Sequence, residues 1–151
     1  MLHPLIHFGF GIEFEQQAII AEGLAQAVCP NDFFGPFLLQ SEELAKGRED
    51  EHPSSLVDLL CEIRQDAALY DEKYWDGGDS LNEKIVSDAP AKLYEIAAKW
   101  RVSVDEIEEK TAEILNTVAW MADAVQRPSK IVKLDFFFIH NVNAGIFFYR
   151  I

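Results

Sequence analysis

The residues of this chain best suited to metal or acid–base chemistry are its four histidines, His3, His7, His52 and His140. In a continuous helix, His3 and His7 would project from the same face one turn apart, so two imidazoles could reach one metal ion. Because Pro4 prefers the first position of a helix, a cap-like role for His3 is also open. The spacing alone leaves two interpretations: metal ligands, or imidazoles that hydrogen-bond in a core or face solvent.

The region around His140 predicts one wall of a pocket. If the apolar segment that His140 ends is helical, Lys133, Phe136 and Phe137 share a face with it. An imidazole flanked by aromatic rings suits a flat apolar substrate. The same residues would equally well form a packed core, with His140 near the negative end of a helix dipole.

Other chemical motifs are missing from the sequence. The Gly9-Phe10-Gly11 step lacks the third glycine and the preceding strand of a dinucleotide fingerprint. There is no serine nucleophile elbow and no paired-cysteine metal motif. The chain has 26 carboxylates, so Glu13, Glu113 and Asp135 cannot be assigned a role on residue type alone. The candidate chemistry therefore narrows to histidine.

Length and charge restrict the class of protein. A chain of 151 residues fits one domain with a real core, and residues 1–151 are taken as a single helical domain. A net charge of −13 repels phosphate backbones and anionic membranes, so neither nucleic acid nor a membrane is an expected partner. Two cysteines, no leader segment and no apolar stretch of membrane-spanning length indicate a cytoplasmic protein.

The elements that must position the histidines are predicted to be helices. Apolar residues recur at three- and four-residue intervals, which favours an all-α, bundle-like fold of six to seven helices, complete or part of a larger helical fold. A helix, a bend at Gly9-Phe10-Gly11 and a second helix are expected over 4–28. Residues 41–53 have no apolar period and are predicted to form a flexible surface loop.

Later helices are predicted from their start and stop signals. Ser54 is a candidate cap for a helix after Pro53, and Ser80 to Val86 read as a short helix. Ser103 and Glu106 have the spacing of a capping box, opening a helix that runs to about Gln126. The segment 130–140 is ambiguous between helix and strand, and helix is favoured because no second strand is available to pair with it.

Several motifs of this chain, in the same order, resemble those of questin oxidase-like proteins. They cover nearly the whole chain: His3-Pro4-Leu5-Ile6-His7-Phe8-Gly9-Phe10-Gly11-Ile12-Glu13-Phe14, Ala21-Glu22-Gly23-Leu24-Ala25-Gln26-Ala27, Ala89-Pro90, Trp100-Arg101-Val102, Lys133-Leu134-Asp135-Phe136-Phe137 and His140-Asn141-Val142-Asn143.

The resemblance implies an oxygenase of secondary metabolism that inserts oxygen into anthraquinone-like polyketides and opens a ring, as in a Baeyer-Villiger reaction. Some members resemble non-haem iron mono- or dioxygenases whose metal is held by several histidines, in places with a modified lysine. Carried onto this chain, the ligands are His3, His7 and His140. Fe(II) is the expected metal, NADPH is a candidate reductant, and a small aromatic polyketide is the expected substrate.

The departure from the family is length, because the chain resembles a middle portion of a longer protein. The absent flanks would supply a further histidine and any lysine ligand. A fragment, a truncated product and one half of an assembly, such as a homo-oligomer, all remain open.

Two rival functions stand beside the oxygenase. One is a non-catalytic helical module that binds an apolar ligand or a partner chain. The other is a metallohydrolase built on the HxxxH pair, which the absence of an adjacent His-Asp pair disfavours.

Overall fold

The computed structural model describes residues 2–29, 34–48, 52–67, 69 and 91–150. Within these ranges the protein is all-α, as the sequence predicts, and no described residue lies in a strand. The described part contains seven α-helices: α1 (His3–Glu13), α2 (Gln17–Val28), α3 (Gly35–Lys46), α4 (Leu56–Gln65), α5 (Ala91–Ala97), α6 (Ile107–Ala124) and α7 (Phe136–Gly145). Short 3-10 turns cover Val104–Glu106 and Phe148–Arg150.

The chain forms two compact units. The first combines Met1–Pro30 with Ser103–Ile151, and we call it the terminal unit. It contains α1, α2, α6 and α7, and therefore three of the four histidines. The second, the central unit, is Asn31–Val102 and contains α3, α4 and α5.

Helix α1 runs without interruption through its two glycines, so the bend predicted there is wrong. The chain turns after α1 instead, where Glu15 has a φ of 53°. Both glycines are buried because other groups press against them. A Cβ atom on Gly9 would lie 2.1 Å from the ring of Phe147, and one on Gly11 would lie 2.6 Å from the backbone nitrogen of Ile20. These glycines serve close packing, not bending.

Helices α1 and α2 pack backbone to backbone. Gly23 of α2 is buried, and a Cβ atom there would lie 2.6 Å from the backbone nitrogen of Phe8. Ile6 is 8% exposed and contributes to the core of the terminal unit. Because the two helices approach so closely, side chains on α2 can reach the histidine face of α1.

The predicted capping box at the start of α6 is confirmed. The backbone N–H of Ser103 donates to the carboxylate of Glu106 at 3.2 Å. The first turn is a 3-10 turn, after which α6 continues to Ala124. None of the described helices, α6 included, combines the length and apolar character needed to cross a bilayer.

Helix α7 begins later than the sequence predicts. The side chain of Asp135 caps it by accepting from the backbone N–H groups of Phe137 at 2.9 Å and Phe138 at 3.3 Å. The preceding segment is not helical, because the Gln126 amide bonds to both backbone groups of Lys133, at 2.9 and 3.2 Å. Lys133 therefore does not share a helix face with the aromatic residues of α7, which corrects the predicted arrangement.

The central unit differs from its prediction in two places. Helix α3 continues to Lys46, so 41–46 are helical although 41–53 was predicted as a loop. The glutamates and the lysine of this segment are good helix formers, and Ser41 is buried within the central unit. Ser55, not Ser54, caps α4 by accepting from the backbone N–H of Asp58 at 3.1 Å. Residues 49–51 and the helix predicted over 80–86 lie outside the described residues.

Candidate functional site

Two of the predicted metal-binding histidines meet in the terminal unit. The Nε2 atoms of His3 and His140 lie 3.1 Å apart, and the ring centroids are 4.9 Å apart with the planes nearly perpendicular. His3 occupies the first turn of α1 and His140 the first half of α7, 137 positions later. Folding therefore brings together two imidazoles from opposite ends of the chain.

The backbone of α7 fixes which nitrogen of His140 faces the pair. Nδ1 of His140 lies 2.6 Å from the carbonyl oxygen of Phe136. A carbonyl only accepts, so Nδ1 carries the proton and the Nε2 lone pair of neutral His140 points at His3. The Phe136 ring covers the imidazole at a centroid distance of 4.1 Å. In the metal-free protein this lone pair therefore accepts from the Nε2–H group of His3.

The separation of the two nitrogens fits a shared metal ion. Imidazole nitrogen binds first-row metals at about 2.0–2.1 Å. Two such ligands at octahedral to tetrahedral angles therefore lie about 2.8–3.4 Å from each other. The 3.1 Å between the Nε2 atoms of His3 and His140 falls in that interval. Neutral imidazoles are also suited to Fe(II).

The third predicted ligand, His7, lies beside this pair and faces α2. Its ring centroid is 6.5 Å from that of His3, and its side chain is 34% exposed. Nδ1 of His7 lies 3.0 Å from Nε2 of Gln26 and 3.5 Å from a carboxylate oxygen of Glu22. The structure thus brings two predicted ligands into contact and holds the third one helical turn away.

The described residues place no three His, Cys, Asp or Glu side chains close enough together to enclose an ion. The geometry on its own is therefore that of a two-imidazole pair with a neighbouring third imidazole. Such a pair can hold a metal ion with open positions or share a proton.

The side chains predicted to form a pocket wall are exposed to solvent in the described part of the chain. The side chains of Phe136 and Phe137 are 65% and 71% exposed, and their rings meet edge to face at 5.9 Å. Lys133 is exposed and precedes α7. Phe136 lies against His140.

An apolar cleft of about 390 Å³ lies elsewhere in the terminal unit, and the sequence analysis missed it. Its lining consists of Phe10, Glu13, Phe14, Leu115, Ile146, Phe147 and Tyr149. The rings of Phe10 and Phe147 meet at 4.8 Å, and Phe14 stacks on Phe10 at 6.1 Å. The available signal was the three- and four-residue spacing of Phe10, Glu13 and Phe14, which is typical of one helical face.

The contacts of Glu22 and Gln26 with His7 were not predicted from the sequence. The two residues are four positions apart on α2 and therefore share the face that meets His7. Their spacing was readable from the sequence, but the pairing of α1 with α2 was needed to give it meaning.

This all-α arrangement with an imidazole pair drawn from both ends of the chain can be compared with known proteins. A family model described as questin oxidase-like matches residues 1–151, and the chain belongs to that family. It is 38% identical over 152 residues to a questin oxidase of Aspergillus fumigatus, covering 97% of this chain and 34% of the relative.

Two further relatives are similar over the same extent. A Baeyer-Villiger oxidase of Emericella nidulans is 40% identical over 153 residues, and a Baeyer-Villiger monooxygenase of Cryptosporiopsis is 36% identical over 151 residues. Each comparison covers 97% of this chain and 34% of the relative. The chain spans about a third of the length of the curated relatives it matches.

Proposed function

We propose that this chain is the histidine-bearing part of an oxygenase that inserts oxygen into anthraquinone-like polyketides and opens a ring. The observation that carries the proposal is the 3.1 Å approach of His3 Nε2 to His140 Nε2, in a chain of the questin oxidase-like family. The relatives' names, questin oxidase and Baeyer-Villiger oxidase, support the reaction class. A cytoplasmic location is part of this proposal, because the thiols of Cys29 and Cys61 are exposed and unpaired, as in a reducing compartment.

In this proposal His3 and His140 would hold Fe(II) through Nε2, and His7 would provide a third imidazole from the next turn of α1. Bound iron would supply the activation of dioxygen. The carbonyl of Phe136 keeps the proton of His140 on Nδ1, so Nε2 carries a lone pair that can bind metal in place of its contact with His3. The exposed rings of Phe136 and Phe137 would hold a planar substrate beside the imidazoles.

The proposed chemistry has a defined electron balance. As a monooxygenase, the protein would insert one oxygen atom between a carbonyl carbon and its neighbour, while the other oxygen leaves as water. Two electrons would then come from a reductant such as NADPH. As a dioxygenase, both oxygen atoms would enter the product and no external reductant is needed. Oxygen uptake with and without NADPH distinguishes the two.

Iron binding tests the proposal directly. Anaerobic reconstitution should give about one Fe(II) per chain. His140→Ala and His7→Ala should each lower that stoichiometry. His52→Ala is the matched control, because His52 is exposed in the central unit, and it should leave binding unchanged. Iron content far below one ion per chain in the unmodified protein, or no change with His7→Ala, would contradict the proposal.

The cleft of about 390 Å³ favours a second candidate function, a non-catalytic module that binds an apolar ligand. Aromatic rings make up much of its lining, which suits a flat ring system. In this alternative, a hydroxylated anthraquinone would bind the metal-free protein, and Phe14→Ala would weaken that binding. His3→Ala would weaken binding only if the ligand lies at the histidines. Fluorescence titration of both variants separates the two functions.

A further inference from the structure

Helix α2 presents two polar side chains to His7, and together the three form a closed triangle. The Gln26 side-chain nitrogen lies 3.0 Å from His7 Nδ1 and 3.1 Å from Glu22 Oε1. The third edge, from His7 Nδ1 to Glu22 Oε1, measures 3.5 Å. The amide nitrogen of Gln26 only donates, so its contact with the carboxylate settles which end of the amide faces His7.

This triangle assigns the proton of His7 in the metal-free protein. Gln26 donates to Nδ1, so neutral His7 carries its proton on Nε2. A metal ion on Nε2 requires that proton to be on Nδ1 instead, and Gln26 nitrogen cannot accept it. Glu22 Oε1 can, and it already lies 3.5 Å away on a side chain that is 57% exposed.

We propose that Glu22 is the positioning residue of His7: its carboxylate accepts the Nδ1 proton of His7 when Nε2 of that ring binds metal, while Gln26 holds the carboxylate in place. Carboxylates that accept from the second nitrogen of a ligating histidine fix its orientation and raise its basicity. Glu22 itself need not touch the ion. The inference rests on the proposed metal centre.

The test uses Zn²⁺ as a diamagnetic probe, with affinity measured by competition against a chelator and the proton of His7 located by ¹⁵N NMR. Glu22→Leu should weaken Zn²⁺ binding about 10- to 100-fold. Glu22→Gln should retain part of the affinity, because an amide oxygen still accepts but carries no charge. Glu109→Leu removes an exposed glutamate of α6 in the same unit and should have no effect.

The NMR readout separates positioning from a merely structural role. In the metal-free protein the proton of His7 should be on Nε2, and Gln26→Leu should remove that preference. With Zn²⁺ bound, the proton should be on Nδ1, and Glu22→Leu should weaken that hydrogen-bonded signal. Far-UV circular dichroism confirms that each variant folds.

Failure of this inference differs from failure of the proposed function. If the unmodified protein binds Zn²⁺ and Glu22→Leu binds it equally well, Glu22 does not position His7, although the metal centre stands. If the unmodified protein does not bind Zn²⁺ or Fe(II), the metal centre and this inference are both overturned.

Discussion

The missing Cβ atoms of three glycines determine how closely α1, the helix that carries His3 and His7, packs in the terminal unit. Gly9 leaves room for the ring of Phe147, which is 3% exposed and would lie 2.1 Å from an added Cβ. The neighbouring Gly11 and the facing Gly23 meet backbone atoms in the same way. Because α1 carries His3 and His7, these glycines position the imidazoles without touching them.

Gly9→Ala should destabilise the protein by about 1–3 kcal/mol, because the added methyl overlaps a buried ring that has little room to move. Urea denaturation followed by circular dichroism measures the loss. Gly47→Ala is the control: its added Cβ would lie 3.7 Å from the nearest atom, the Leu44 carbonyl oxygen, so its effect should stay within about 0.5 kcal/mol. Equal effects of the two substitutions would contradict this account of Gly9.

At the scale of elements, the start of α7 determines where His140 points. Asp135 satisfies two backbone donors of the first turn, and the helix that follows places the Phe136 carbonyl on His140 Nδ1. The Gln126 amide holds the preceding non-helical stretch through Lys133. The direction of the His140 imidazole therefore depends on the Asp135 cap and on the hydrogen bonds between Gln126 and Lys133, residues that are not part of the histidine pair.

Asp135→Ala should cost about 0.5–2 kcal/mol of stability and speed hydrogen exchange at the amides of Phe137 and Phe138. Asp135→Asn keeps an oxygen acceptor and ranks equally as a cap, so it should preserve both properties. Denaturation and native-state hydrogen exchange measure the two effects. An Asn variant as damaged as the Ala variant would show that the charge of Asp135, not the cap, holds α7.

Much of the element structure was predictable because it depends on local signals. The helical class, the capping box at Ser103 and the end of α6 follow from spacing and side-chain chemistry within a few residues. The continuity of α1 was not predictable, because Gly9 is compensated by Phe147 from the far end of the chain. The start of α7 was missed because Asp135 was read as one carboxylate among 26.

The site was predictable only in its residue types. Motif resemblance named His3, His7 and His140, and the structure brings the first and last into contact. Glu22 and Gln26 could not be singled out, because their contacts with His7 exist only once α1 and α2 pair. The metal-binding role of His3, His7 and His140 stays a prediction.

At the scale of the whole molecule, exposed apolar side chains favour association between copies, and a large negative charge opposes it. Ile131, Val132 and Leu134 are 86%, 71% and 66% exposed, and they run directly into the open rings of α7. Exposed apolar side chains favour association, whereas a net charge of −13 keeps copies apart. Salt screens the repulsion but leaves apolar association intact.

The average mass in solution should therefore rise with protein concentration, and rise further when salt increases from about 0.01 to 1 M, where the Debye length falls from about 30 to 3 Å. Sedimentation equilibrium measures this mass. Replacing both Ile131 and Val132 by serine should lower the association. Asp105, in the 3-10 turn before α6, and Glu108, in the first turn of α6, are exposed acids, and replacing both by their amides should raise the association at low salt. A monomer under every condition would contradict the apolar explanation.

The contact between His3 and His140 closes a loop of 137 residues. In an unfolded chain, bringing the ends of such a loop together costs roughly 5 kcal/mol of entropy. The folded terminal unit has already met that cost through helix packing. An ion held by both imidazoles would consequently bind the native chain far better than the unfolded one, so its release would report loss of the native fold as directly as a spectroscopic probe.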